Sequence, residues 1–172
     1  MEINIANLTK SPVPTSDYWK KVAKKTFDFV GFKSSKNIEV NLAFVGQTRI
    51  RELNKEWRKN DKATDVLSFS SIDTPQGKLA QKLKLKNALE KRGLIKKSSK
   101  RSDIYFDNDN QIVICLSYAD KQAKKMKLSM RQNLARLFSH GILHILGYDH
   151  ERSVQEEEIM DGLQELMINK FK

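Results

Sequence analysis

The sequence predicts a single domain that contains both α-helices and β-strands. A chain of 172 residues is typical of one domain, and it is long enough to bury a core without a disulfide or a structural metal. Apolar residues make up 39% of the chain and charged residues 31%, which is the composition of a globular protein with a packed interior. Segments with a period of two residues and segments with a helical period both occur, so both kinds of element are expected.

Four short segments have the pattern of β-strands. Ile38, Val40 and Leu42 alternate with other residues, which is typical of a strand with one buried face. The run from Ile112 to Leu116 is apolar throughout and predicts a central strand that is buried on both faces. The predicted strands are residues 3–8, 38–44, 64–69 and 112–116, and residues 104–106 are a candidate partner for the last of them.

Five segments have the apolar spacing of helices, and capping residues mark several of their ends. Gly31 is placed to end the first helix. Ser129 and Gln132 form a capping box for the fourth, which Gly147 is placed to end in a left-handed turn, and Ser153 begins a capping box for the fifth. The predicted helices cover about residues 16–30, 48–59, 118–126, 130–146 and 154–167.

Positive charge is concentrated in one part of the chain. The 32 Lys and Arg residues exceed the 21 Asp and Glu residues by 11, and residues 78–101 hold ten basic side chains against the single Glu90. The lysine-rich segment, residues 75–103, is interpreted as an insertion between two predicted strands. Nucleic acid is the first candidate partner, because basic stretches attract phosphate backbones by releasing counterions. A solvated lysine-rich surface is the alternative.

The protein is expected in the cytoplasm. No apolar run reaches the roughly 18 residues of a transmembrane helix, and the N-terminal residues lack the basic-then-apolar order of a signal peptide. The single Cys115 lies in an apolar run, so it is interpreted as a core residue in a reducing compartment rather than as a catalytic thiol.

All three histidines of the chain fall within eleven residues, and their spacing predicts a metal site. His140 and His144 are four residues apart, which places two imidazoles on one face of a helix. Gly147 then allows the chain to turn back, so that His150 can approach the same ion. Three neutral imidazoles leave a fourth tetrahedral position open, which is the arrangement of a catalytic zinc.

The spacing of this cluster equals that of the metzincin proteases, HExxHxxGxxH, but the catalytic base of those enzymes is missing. Their general base is the glutamate after the first histidine, and Gly141 stands at that position here. The same metal geometry is therefore expected to serve a different reaction.

Three classes of function fit the histidine cluster. Phosphodiester hydrolysis would combine a metal with an arginine that neutralises charge on the phosphoryl oxygens and with a surface that attracts polyanions. A zinc-dependent peptidase or amidohydrolase would need an acid from elsewhere, such as Asp65 or Asp149. The third class is a metal-stapled RNA- or ribosome-binding module without catalysis. All three predict a metal, and only the first predicts cut RNA.

The sequence resembles the bacterial YbeY family of metal-dependent endoribonucleases in two blocks. The first contains Leu53, Asn54 and Arg58, followed by Thr64-Asp65-Val66-Leu67-Ser68-Phe69. The second runs from His140 to His150 and is similar to the family signature HGxLHLxGYDH.

The resemblance implies an α+β fold, with a short mixed sheet of about four strands packed with about five helices. The implied zinc ion, one per chain, is bound by His140, His144 and His150, on a helix and the turn after it. Arg58 and His140 are the catalytic residues implied, and Asn54 and Thr64 are further candidates near the site. The implied activity is cleavage of single-stranded rRNA, in maturation of the 16S rRNA 3′ end and in ribosome quality control. The implied partner is the small ribosomal subunit or the ribosome.

The chain departs from the family pattern in three places. Ser70 stands where the family usually has proline, which is expected to be a minor change at a strand end. Asn110-Gln111 stands where the family commonly has Gly-Asp, so a carboxylate near the site is lost. The lysine-rich segment is longer than the usual connection, and we interpret it as an added RNA or ribosome contact.

Overall fold

The computed structural model describes residues 2–31, 38–70, 110–146, 148 and 154–171. Several sequence predictions fall outside these residues. They are the lysine-rich segment, the candidate strand at 104–106, the turn at Gly147, the third histidine His150 with its neighbour Asp149, and the cap at Ser153.

Four strands form one mixed sheet in the order β1-β2-β4-β3. Strand β1 is Glu2–Asn7, β2 is Glu39–Val45, β3 is Val66–Phe69 and β4 is Gln111–Cys115. The pairs β1-β2 and β2-β4 are parallel, and β3 pairs with β4 in the antiparallel direction. The four predicted strands and the mixed sheet are confirmed, and β3 lies at the edge beside the central β4.

Five helices accompany the sheet in the described residues. Gly31 has a φ of 67° just after the first helix, as its predicted role in ending that helix requires. None of these described helices is long and apolar enough to cross a membrane. The helices are α1 (Ser16–Phe29), α2 (Gln47–Arg58), α3 (Leu116–Lys125), α4 (Met130–Ile145) and α5 (Val154–Lys170).

The predicted boundary at Leu116 is wrong, because Leu116 is the first residue of α3 and not the last residue of a strand. Cys115 ends β4 and is also the N-terminal cap residue of α3, so the strand passes directly into the helix. Leu116 is buried, and a buried apolar residue fits both the end of an apolar strand and the first turn of a helix. The sequence pattern alone therefore does not locate the boundary between β4 and α3.

The sheet carries apolar side chains on both faces. Ile112 and Ile114 of β4 pack into a core shared with α1, α4 and α5, whereas Val113 and Cys115 pack against α2 on the opposite face. The prediction that β4 is buried on both faces is confirmed, and so is the prediction that Cys115 is a core residue. Helices α2 and α4 therefore lie on opposite sides of the same sheet.

Candidate active site

Helix α4 begins at the predicted capping box. The Gln132 backbone N–H donates to Ser129 Oγ over 3.3 Å, and the Ser129 backbone N–H donates to Gln132 Oε1 over 2.8 Å. The side-chain Nε2 of Gln132 also donates to the carbonyl of Ile168 on α5, at 2.8 Å. The capping box thus defines the first residue of the helix that carries two of the three histidines, and Gln132 bonds this helix to α5.

The structure brings His140 and His144 together on α4. Their Nε2 atoms lie 3.0 Å apart, and their ring centroids are 4.5 Å apart with the planes at 83°. Both side chains are half-buried. Two nitrogens that each lie about 2.0–2.1 Å from one zinc ion can be separated by no more than twice that distance, so this pair fits a shared ion.

The third predicted ligand, His150, lies outside the described residues. Within the part of the chain that the structure describes, no group of three His, Cys, Asp or Glu side chains could hold a metal ion. Two of the three predicted ligands are therefore described, the imidazoles of His140 and His144 on α4.

Gly141 faces the sheet rather than the histidine pair. A Cβ atom at this position would lie 2.9 Å from Ile112 Cδ1 and 3.0 Å from its Cγ1 and Cγ2 atoms. Ile112 is fully buried under α4. A glutamate at position 141, as in the metzincin proteases, would therefore collide with the core, and the packing explains why glycine occupies this place.

Arg58 is the last residue of α2, and its side chain is exposed. Its Nη2 atom donates to the carbonyl oxygen of Ser68 on β3 at 3.5 Å, which is a long contact. Leu67 of β3 packs on the α2 side of the sheet and Val66 on the α4 side. Arg58 and the histidine helix thus approach the edge strand β3 from its two sides.

The turn between α2 and β3 is held by Asn54. Its Nδ2 atom donates to the carbonyl of Lys62 at 2.7 Å, and its own carbonyl accepts from the backbone N–H of Asn60 at 3.2 Å. The left-handed residue Lys59, with a φ of 60°, ends the helix. Asn54 is almost fully buried, so the described contacts give it a role in shaping this turn.

Asp65 accepts hydrogen bonds on both carboxylate oxygens. Its Oδ1 accepts from Thr64 Oγ1 at 3.1 Å and from the Val66 backbone N–H at 2.9 Å, and its Oδ2 accepts from Gln122 Nε2 at 3.0 Å. These donors occupy both of the oxygens that a general acid would use. Asp65 therefore anchors the start of β3 to α3.

A polar network behind Asp65 was not predicted from the sequence. Asn133 Nδ2 donates to Gln122 Oε1 at 3.2 Å, and Arg136 donates through Nε to Asn133 Oδ1 at 3.0 Å and through Nη1 to Gln164 Oε1 at 2.8 Å. Burial lowers the pKa of Arg136, and the charge of Asp65 opposes that shift. The network joins α3, α4 and α5 one helical turn before His140.

The residues that depart from the family pattern lie at one end of the sheet. Gln111 is the first residue of β4 and pairs with Phe69 of β3. Asn110 Nδ2 donates to the carbonyl of Glu39 at 3.2 Å, and Ser70 Oγ donates to the carbonyl of Ile145 at 2.7 Å. This end of the sheet therefore faces the last turn of α4.

Comparisons with known proteins agree with these observations. The profile of the family described as Endoribonuclease YbeY matches residues 4–172. Proteins named Endoribonuclease YbeY from a Sulfurihydrogenibium species and from Clostridium perfringens are 34% and 32% identical to the chain. Each alignment covers 90% of this chain, and the two cover 87% and 90% of the relatives.

A protein of Thermotoga maritima whose structure was solved in solution has the same fold. The superposition has a TM-score of 0.53 at 23% sequence identity, and it covers 98% of this chain and 90% of that chain. The fold, the family profile over nearly the whole chain and the curated relatives lead to one conclusion: this chain belongs to the YbeY family of endoribonucleases.

Proposed function

We propose that the protein is a metal-dependent endoribonuclease that cuts single-stranded RNA. The observation that carries the proposal is the convergence of His140 Nε2 and His144 Nε2 to 3.0 Å on a helix that packs beside β3, with Arg58 on the other side of that strand. Family membership supports the reaction class, since the relatives are named endoribonucleases.

His140 and His144 would hold a zinc ion, with His150 as the predicted third ligand. The fit rests on the separation of the two Nε2 atoms and on imidazole being a common zinc donor. When bound, zinc supplies Lewis-acid polarisation of a phosphoryl oxygen or an activated water. In this proposal His140 would take part in catalysis as a ligand of that zinc ion.

Arg58 would stabilise the negative charge that builds on the phosphoryl oxygens in the transition state. Its guanidinium is permanently charged and carries donors in a planar fork that matches two phosphate oxygens. The side chain is exposed, and its contact with Ser68 is long enough to be exchanged for a substrate oxygen at little cost. The exposure of Arg58 and its long contact with Ser68 support a role in binding an RNA phosphate.

The charge of the chain supports a polyanionic substrate. The excess of 11 positive charges would attract the RNA backbone without reading its sequence. Lys59 and Lys62 follow Arg58 in the turn before β3 and are exposed. We propose rRNA as the substrate, at the 3′ end of 16S rRNA and in ribosome quality control, with the small subunit or the ribosome as partner, in the cytoplasm.

Two features count against a zinc-dependent peptidase. Gly141 has no space for the glutamate base of the metzincins, because a side chain there would meet Ile112. The carboxylate of Asp65 is engaged by three hydrogen-bond donors. The third class is a metal-stapled binding module. It differs from the nuclease in one measurable result, because only the nuclease cuts RNA.

The test is cleavage of an end-labelled single-stranded RNA by purified protein, beside a duplex of the same sequence. We expect internal cuts in the single strand and little cleavage of the duplex. A 30S subunit that carries precursor 16S rRNA tests the proposed natural substrate in the same way. Binding of these RNAs without any cut product would favour the binding module and contradict the proposal.

A further inference from the structure

The edge strand β3 is tied to the helices at both of its ends. At its start, the backbone N–H of Cys115 donates to the Asp65 carbonyl at 2.8 Å, and Gln122 of α3 donates to the Asp65 carboxylate at 3.0 Å. At its end, Ser70 Oγ donates to the carbonyl of Ile145 at 2.7 Å. The Ser70 hydroxyl thus links the end of the strand that contacts Arg58 through Ser68 to the histidine helix.

The acceptor of that hydroxyl lies in the last turn of α4. Ile145 directly follows His144, and carbonyls in a last helical turn lack the ordinary partner four residues on. Helix ends without such partners fray. The Ser70 contact joins residues that are 75 positions apart in the chain, so it fixes the turn that carries His144 against β3.

We propose that Ser70 is a positioning residue, which sets His144 relative to β3 and hence to Arg58. This proposal rests on the proposed function. A proline at this position would have neither a hydroxyl nor a backbone N–H. The hydrogen bond to Ile145 is therefore a feature of this chain that proline could not make.

The test compares Ser70→Ala with Ser70→Thr, which keeps a hydroxyl. Ser117→Ala is the matched control, because Ser117 is exposed on α3 and its hydroxyl contacts Cys115 Sγ at 3.4 Å rather than α4. We expect Ser70→Ala to lower kcat on single-stranded RNA about tenfold with KM within about twofold, and to weaken zinc binding about tenfold. Ser70→Thr should restore both, and Ser117→Ala should change neither.

A third measurement depends neither on RNA nor on zinc. The backbone N–H of Leu146 donates to Ile142 at 2.9 Å and that of Tyr148 to Leu143 at 3.0 Å, so both report on the last turn of α4. Their hydrogen exchange should become about tenfold faster in Ser70→Ala, as loss of one hydrogen bond predicts. Unchanged exchange would overturn the positioning role even if the protein cuts no RNA. If exchange becomes faster and the protein cuts no RNA, the positioning of the last turn of α4 by Ser70 is supported and only the proposed nuclease activity is refuted.

Discussion

Gly141 of α4 lies directly above Ile112 of β4, so close that a Cβ at position 141 would stand 2.9 Å from Ile112 Cδ1. Because Ile112 is fully buried in the middle of the sheet, it has little room to move away. This contact places α4 against the central strand at the residue that directly follows His140. The glycine inside the metal motif is therefore a packing requirement.

Gly141→Ala should lower the free energy of unfolding by about 1–3 kcal/mol through overpacking, although alanine is the better helix former. Denaturant unfolding monitored by circular dichroism measures the effect. Gly162→Ala on α5 is the matched control, because a Cβ there would meet Phe29 Cζ at an ordinary 3.4 Å. That control should stabilise the protein by up to about 1 kcal/mol. A stabilised Gly141→Ala would show that the helix is not held by this contact.

Arg58→Ala should reduce kcat by about 100-fold or more, while the zinc content and the affinity for RNA stay close to those of the wild-type protein. The reason is that Arg58 is proposed to act on charge that develops only in the transition state. Single-turnover cleavage together with equilibrium RNA binding separates the two effects.

Arg49→Ala on the same helix is the control for Arg58, because Arg49 pairs with Glu52 in the first turn of α2, away from β3. It should leave kcat unchanged. If Arg58→Ala instead weakens RNA binding and leaves kcat at saturating RNA intact, Arg58 is a docking residue and the catalytic assignment is wrong.

Asp65→Asn should destabilise the protein by about 1–3 kcal/mol and leave cleavage of RNA by the folded protein largely unchanged. The substitution turns one acceptor oxygen into a donor that faces Gln122 Nε2 or Val66 N–H, so at least one hydrogen bond is lost. Thermal unfolding and cleavage at a temperature well below Tm are the two measurements. Loss of cleavage in a variant that is still folded would make Asp65 the acid or base of the reaction.

Deletion of residues 78–100 should weaken binding of single-stranded RNA and flatten its dependence on salt. These residues carry nine Lys and Arg side chains and one Glu, and each phosphate contact adds to the slope of affinity against salt concentration. Fluorescence anisotropy between low and physiological salt measures both quantities. A variant of equal length with serines in place of the lysines separates charge from chain length. Unchanged affinity and slope would refute an RNA contact by this segment.

Local patterns predicted the elements that carry the site. The capping box at Ser129 and Gln132 and the four-residue spacing of His140 and His144 both act within one or two helical turns, and both are present in the structure. The burial of β4 on both faces was predictable for the same reason, because the apolar pattern that indicates it lies within one short segment.

The side-chain contacts between different helices and strands could not be predicted from local sequence patterns. Ser70 was expected to be a minor change, yet its hydroxyl bonds to a carbonyl 75 residues away. Arg136 contacts Gln164 over a separation of 28 residues. Neither pair has a periodic or motif signal, because tertiary packing alone brings the partners together.

Zinc content and RNA cleavage, measured on the same preparations, show whether the histidine cluster is a catalytic zinc site. The samples are the wild-type protein, the wild-type protein treated with a chelator, and His144→Ala purified identically to control for contaminating nuclease. We expect about one zinc ion per wild-type chain with cleavage of single-stranded RNA, and loss of both in His144→Ala without unfolding. Chelator treatment should abolish cleavage, and added zinc should restore it in the wild-type protein only. A His144→Ala protein that keeps its zinc and cuts RNA at the wild-type rate would show that His144 is neither a zinc ligand nor needed for cleavage.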